Sequence, residues 1–195
     1  EKYFADKRQE RIDFFNNTYL EQATGKTISS GFGGRRKGQL VDTQTSYVLP
    51  VALGVLDGET YNNCVSNLAE TIERQGTMDN GSVCAPYALL TGFIGTAWIS
   101  KALSDGGRSD IAYKLLLNEQ YPSWLYPVKQ GATTIWERLN SYTHSNGFGG
   151  NNRMNSFNHY SFGAVGAWLI NYSLGIRRDE TSPGFKHFII KPEID

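Results

Sequence analysis

The chain has 195 residues, and Lys plus Arg balance Asp plus Glu at 19 each, so it is long enough for one domain with a substantial core. Zero formal charge excludes an overall field that would favour nucleic acid or an anionic membrane surface, and no apolar run reaches the roughly 20 residues of a membrane span. Charged residues make up 19% and aromatics 13%, with 21 glycines, a profile that suits a loop-rich globular domain presenting rings to a neutral polar ligand. The chain opens on Glu1 without a leader pattern and reads as part of a longer polypeptide.

In chain order, residues 2–23 place Phe4, Ile12, Phe15 and Tyr19 near i, i+4 spacing between charges, which predicts an amphipathic helix. Residues 27–40 hold Gly31, Gly33, Gly34 and Gly38 and predict a loop. Asp42 or Thr43 can cap a second helix through Tyr47, Val48, Val51 and Val55, with Pro50 either kinking it or marking its start. A third helix over 59–75 puts Cys64, Leu68 and Ile72 on one stripe, with Gly76 at C′. Residues 86–103 are apolar nearly all round, which predicts an inner helix surrounded by others.

Asp105-Gly-Gly107 ends that helix, and Ser109 is the expected cap of a fifth, carrying Ile111, Ala112, Leu115 and Leu116. Residues 119–133, with Tyr121, Pro122, Trp124, Tyr126 and Pro127, predict an ordered aromatic loop. Short helices are expected over 134–141 and 156–174, and a strand over 185–192. Helix, tight break, helix, repeated with inner and outer members, is an all-α array of αα-hairpins. Its expected boundaries are a helical unit over 1–182 and the start of a β segment over 183–195.

Two stretches carry chemistry. Gly131-Ala-Thr-Thr-Ile-Trp-Glu-Arg138 sets Glu137 beside Trp136, and Asn155-Ser-Phe-Asn-His-Tyr160 brings His159 amid amides and rings. A carboxylate flanked by aromatics and amides is suited to hydrolysing a sugar linkage, since the acid handles protons while ring faces stack on sugar C–H surfaces. Trp124, Tyr126 and Trp136 are the better candidates for that stacking because they lie in or beside a loop, whereas Trp98 and Trp168 read as core. Thr134-Ile-Trp-Glu137 equally fits a capping box, in which Glu137 would only reach back to a helix start. Likewise, His159 on an aromatic segment could be a packed core residue, and the local sequence leaves both alternatives open. His144 and His187 read as surface or loop residues.

Gly31-Phe-Gly-Gly34 lacks the Lys-Ser/Thr end of a phosphate loop, and neither a Gly-x-Ser-x-Gly elbow nor a His-Glu-x-x-His pair occurs. Cys64 and Cys84 have no metal-ligand spacing and read as free thiols near the core, so neither a metal nor an organic cofactor is called for.

Six spaced motifs carry a resemblance. They are Thr91-Gly-Phe-Ile-Gly-Thr96, Ala102-Leu-Ser-Asp-Gly-Gly-Arg108, Tyr121-Pro-Ser-Trp124, the Glu137 stretch, Met154-Asn-Ser-Phe-Asn-His-Tyr160 and Pro183-Gly-Phe185. Over about residues 40–192 the chain closely resembles the C-terminal half of the catalytic domain of bacterial α-L-rhamnosidases of glycoside hydrolase family 78. The resemblance implies part of an (α/α)6 toroid and inverting removal of terminal α-L-rhamnose from an oligosaccharide or glycoside. It further implies that Glu137 is the general base activating water and that His159 contacts the rhamnose, with Trp136 near the site. The family's general acid, in an Arg-Asp-Glu motif, has no counterpart upstream of Glu137. Arg178-Asp-Glu180 follows the last expected helix, where the family has a connecting turn, and is set aside. A chain with half the toroid's helices is expected to be inactive alone and to expose apolar faces that favour self-association. The alternative is a non-catalytic helical carbohydrate-binding or scaffold piece.

Overall fold

The computed structural model describes residues 1–78, 80–150 and 153–194. Seven α-helices and three two-stranded hairpins occur among these residues, and none of the helices is long and apolar enough to cross a membrane.

Helix α1 (Lys2–Tyr19) forms as the periodicity predicts but buries no residue, and Phe4 is 75% exposed. Two side-chain bonds tie it to the body, from Arg8 to the Gly54 carbonyl and from Asn16 to that of Val55. Strands β1 (Leu20–Glu21) and β2 (Lys26–Thr27) then make a short hairpin, and the glycine-rich stretch that follows is a loop with one 3-10 turn at Phe32–Gly34.

Helix α2 (Gln44–Ala52) starts at Thr43 through a reciprocal capping box with Ser46. Asp42 instead accepts from the Tyr47 hydroxyl at 2.7 Å and from Arg74 at 2.6 Å. Pro50 sits inside the helix near its end. Helix α3 (Gly58–Glu73) buries Cys64, Val65, Leu68, Ala69 and Ile72 on one stripe, as its spacing requires. Gly76 is not its C′ residue: it lies in β3 (Gly76–Thr77), paired with Cys84 of β4 (Val83–Cys84).

The inner helix begins seven residues later than the sequence pattern suggests, at Phe93 rather than Pro86, as α4 (Phe93–Asp105). The intervening backbone is an irregular turn, held out of a helix by partners from other elements. Buried Gln44 donates to the Ala88 carbonyl and accepts from the Leu90 N–H, at 2.8 and 2.9 Å, and the Leu89 N–H reaches the Pro122 carbonyl at 2.8 Å. These bonds satisfy groups a helix would otherwise claim. Within this chain α4 is covered on one side only: Ile99, Ala102 and Leu103 are buried, whereas Ile94 is 67% exposed. It packs most closely on α2, where Gly95 is required: a Cβ there would stand 2.4 Å from Thr45 Oγ1.

Helix α5 (Ser109–Leu117) buries Ile111, Ala112 and Leu115. Its N-cap is Arg108, and the Ser109 hydroxyl is engaged instead with Ser104 and the Glu193 carboxylate. The aromatic segment after it contains a short helix, α6 (Leu125–Lys129), whose Tyr126 N–H is taken by the buried Ser123 hydroxyl at 3.1 Å. Residues 134–141 are turns and bends, not a helix. The last helical run begins at Ser161 rather than 156, with a 3-10 turn Ser161–Ala164, α7 (Val165–Trp168) and a π turn Leu169–Ser173. Finally β5 (Ile176–Arg178) pairs antiparallel with β6 (Phe188–Ile190), the strand read from sequence.

One core joins Tyr47 and Val48 of α2, Leu68 and Ile72 of α3, Ile99 and Leu103 of α4, and Ile111 and Leu115 of α5 with Trp124, Phe162, Trp168 and Tyr172. Both cysteines are free and buried. Burial pushes the Cys64 thiol up to about 12, and burial followed by Asp42 and Asp105 respectively raises the Tyr47 and Tyr172 phenols. These groups hold their protons longer folded than unfolded, so their contribution is intact below the unfolded thiol value near 8.5 and is lost as pH rises toward the folded values. Urea midpoints are therefore expected to fall from pH 8.5 to 10.5, with Cys64 alone contributing up to ~1.4 kcal/mol per pH unit. Cys64→Ala should flatten the decline; an unchanged slope would show that the thiol is not desolvated.

Candidate active site

The segment around Glu137 and the segment around His159 are bound to each other directly. The Glu137 N–H donates to the Ser156 carbonyl at 2.9 Å, and the Ser156 N–H donates to Glu137 Oε2 at 2.9 Å. The His159 N–H donates to the Ile135 carbonyl at 2.9 Å, and the Thr134 hydroxyl caps the Phe157 carbonyl. The capping box read from Thr134-Ile-Trp-Glu137 therefore does not form, because both of its side chains serve the other segment and no helix starts there. Glu137 is half-buried, and its second oxygen, Oε1, accepts no hydrogen bond among the described residues.

His159 is half-buried in an irregular segment before the last helical run. Its ring stacks on Phe93, the first residue of α4, with centroids 4.7 Å apart and planes at 23°, and lies parallel to Tyr160 at 5.6 Å. The Ser161 N–H faces Nδ1 at 3.4 Å. A donor on Nδ1 assigns the proton of the neutral ring to Nε2, so Nε2–H is the group the site presents.

Trp136 is only 6% exposed and meets Phe157 edge-on at 5.2 Å. Phe157 in turn meets Phe148 at 5.6 Å, and Phe148 meets Tyr142 at 5.3 Å. This edge-to-face row braces the glycine-rich 142–150 loop beside Glu137. Trp124 is 7% exposed and donates to the Phe162 carbonyl at 2.9 Å, so it is a core residue and not an open sugar platform. Tyr126 is half-buried, its ring edge-on to Tyr121 at 5.2 Å. His144 and His187 are exposed, as their sequence context suggests.

Phe93, Arg138 and the Ser156 N–H are the partners that sequence reasoning did not assign. Arg138 Nε donates to the Met154 carbonyl at 2.7 Å and Nη2 to Asn155 Oδ1 at 3.0 Å. Its position next to Glu137 was the only local signal.

Arg178-Asp-Glu180 lies at the β5–β6 connection. Asp179 accepts from the Thr181 hydroxyl and N–H and from His187. These contacts, the Thr181 bonds foremost, hold its carboxyl at about 2. A group ionised at that pH has no proton to give near neutrality, and Glu180 is paired with Arg178. Among the described residues no cluster of three or more His, Cys, Asp or Glu could hold a metal. Two surface depressions lie elsewhere, one lined by Pro86, Tyr87, Lys114, Leu117 and Asn118, the other by Asn16, Gln22, Leu56, Asp57 and Thr60.

The helices share one core, and Glu137 and His159 lie on two irregular segments bonded to each other. Residues 1–173 match the family described as the bacterial alpha-L-rhamnosidase 6 hairpin glycosidase domain, and the chain belongs to that family. The match includes the first 39 residues, beyond the stretch whose motifs carry the resemblance.

The chain is 40% identical over 176 residues to an alpha-L-rhamnosidase of Formosa agariphila, covering 88% of this chain and 18% of that protein. To an alpha-L-rhamnosidase of Streptomyces avermitilis it is 35% identical over 159 residues, covering 82% and 14%. Among solved structures, the Streptomyces avermitilis alpha-L-rhamnosidase complexed with L-rhamnose superposes with a TM-score of 0.79 at 31% identity, covering 98% of this chain and 16% of that one. The Aspergillus terreus alpha-L-rhamnosidase gives 0.79 at 27% identity, covering 98% and 19%. The chain thus spans less than a fifth of the length of these relatives.

Phe93 makes two ring contacts, the stack on His159 and an edge contact on Phe162 at 5.4 Å. At about 0.5–1.5 kcal/mol for each aromatic pair, Phe93→Ala is expected to lower stability by roughly 1–3 kcal/mol in urea titrations. An unmoved midpoint would show that the stack does not hold the His159 segment.

Proposed function

We propose that this chain supplies the water-activating half of an inverting α-L-rhamnosidase site. Glu137 Oε1 takes a proton from a water whose oxygen attacks the anomeric carbon of a terminal α-L-rhamnosyl unit. The glycosidic C–O bond breaks on the opposite face, and its oxygen takes a proton from a general acid that lies outside these residues. In inverting chemistry acid and base stand roughly 6.5–9.5 Å apart, with room for that water. His159 offers Nε2–H to a rhamnose hydroxyl, and Trp136 backs the site through Phe157.

The observation that carries this reading is the docking of the two segments. It ties the Glu137 segment to the His159 segment while, among the described residues, a hydrogen bond engages one carboxylate oxygen, Oε2. A carboxylate that merely capped a helix would instead bond its own backbone. Similarity to proteins named alpha-L-rhamnosidase, one of them in complex with L-rhamnose, supports the choice of sugar.

Glu137→Gln in the natural full-length protein is expected to lower kcat on 4-nitrophenyl α-L-rhamnopyranoside by about 10²–10⁴-fold, the usual worth of a positioned acid or base. Circular dichroism should stay unchanged. Proton NMR of the wild-type reaction should show β-L-rhamnose first. Full turnover by the variant would remove Glu137 as the base, and an α product first would remove inversion. The 195-residue chain alone should not hydrolyse this substrate.

A further inference from the structure

We infer that Arg138 is a positioning residue for the Glu137 carboxylate, acting through the 154–156 segment. The inference rests on the reading of Glu137 as general base and adds what holds that base in place.

Among the described residues Glu137 Oε2 is fixed by one donor, the Ser156 N–H at 2.9 Å. Ser156 is exposed and belongs to no helix or strand, so regular structure does not set its position. The guanidinium does so from the residue next to the carboxylate. Nε reaches the Met154 carbonyl at 2.7 Å and Nη2 reaches Asn155 Oδ1 at 3.0 Å, two residues and one residue before Ser156. Arg138 is itself secured, since its N–H meets the Ser141 hydroxyl at 3.2 Å and Ser141 is fully buried.

The geometry needs arginine. A planar fork addresses two acceptors on successive residues at fixed angles, whereas a lysine ammonium is a single point on a flexible stem. A flanking cation of no consequence would point its donors to solvent, and here two of them go to neutral acceptors on one short segment. With that segment pinned, the Ser156 N–H keeps Oε2 and leaves Oε1 to the water. A released segment lets the carboxylate rotate, and a displacement near 1 Å costs about 100-fold in rate.

The test uses the natural full-length protein and 4-nitrophenyl α-L-rhamnopyranoside. Arg138→Ala is expected to lower kcat about 10- to 100-fold with KM within about twofold of wild type. Millimolar guanidinium should restore part of the lost kcat, and Arg138→Lys should not. Wild-type kcat in Arg138→Ala, or a loss that appears in KM alone, overturns the inference. So does a loss that guanidinium leaves untouched in a folded variant. If Arg138→Ala does not fold, Asn155→Ala decides: it removes one acceptor of the fork, and a kcat loss of several-fold at unchanged KM supports the inference while none overturns it. Glu137→Gln separates the two claims. An active Glu137→Gln sinks the general-base reading, whereas an inactive Glu137→Gln beside a fully active Arg138→Ala sinks only the positioning role.

Discussion

The reciprocal bonding between Glu137 and Ser156 is the constraint on which the rest of the site depends. Each residue gives its N–H to the other, one to a carbonyl and one to a carboxylate. Two irregular segments of a loop-rich chain would otherwise be free to sample many conformations, at about 1–2 kcal/mol for each residue that must be ordered. Paired in this way, and joined by the His159 and Thr134 bonds, they satisfy their polar groups without a strand or a helix. The same pairing engages Glu137 Oε2, while Oε1 accepts no hydrogen bond among the described residues.

The helical core contributes by presenting one edge to this pair. Gly95 lets α4 approach α2 closely, and Phe93, two residues earlier, then lies where His159 can stack on it. Phe162 closes the corner between Phe93 and the Trp124 indole. Core packing thus reaches the imidazole through ring contacts, while the Ser161 N–H faces its Nδ1 and the Ile135 carbonyl holds the His159 backbone N–H. The ring is held from its face and from its Nδ1 edge, and among the described residues its Nε2 has no hydrogen-bond partner.

Elements governed by their own periodicity were legible in the sequence, and those governed by distant partners were not. The Cys64, Leu68, Ile72 stripe of α3 and the Ile111, Ala112, Leu115 face of α5 follow directly from helical spacing. Residues 86–92 have the composition of a helix, yet Gln44 and Pro122, at least thirty positions away, take their backbone groups and keep them out of one. Gly76 has the look of a helix stop and instead pairs with Cys84. At the site, Thr134-Ile-Trp-Glu137 is a capping pattern whose two side chains answer to Phe157 and Ser156. Local sequence carries no record of a competitor some twenty residues on. The company of Glu137 and His159 marked them as candidates, but the bonding between their segments was not readable.

The aromatic residues divide by the same logic. Loop position made Trp124 and Trp136 look available for stacking on a sugar, yet rings of that size lose so much apolar surface to water that the fold covers them where it can. Trp124 goes into the core, and Trp136 heads the row through Phe157 and Phe148 to Tyr142. That row stiffens a stretch containing Gly147, Gly149 and Gly150, each at positive φ and unable to brace itself with side-chain packing. Rigidity at Glu137 is therefore supplied from behind by rings and from the side by hydrogen bonds. Among the described residues, Glu137 Oε1 and His159 Nε2 are left without a hydrogen-bond partner, and both are directional groups.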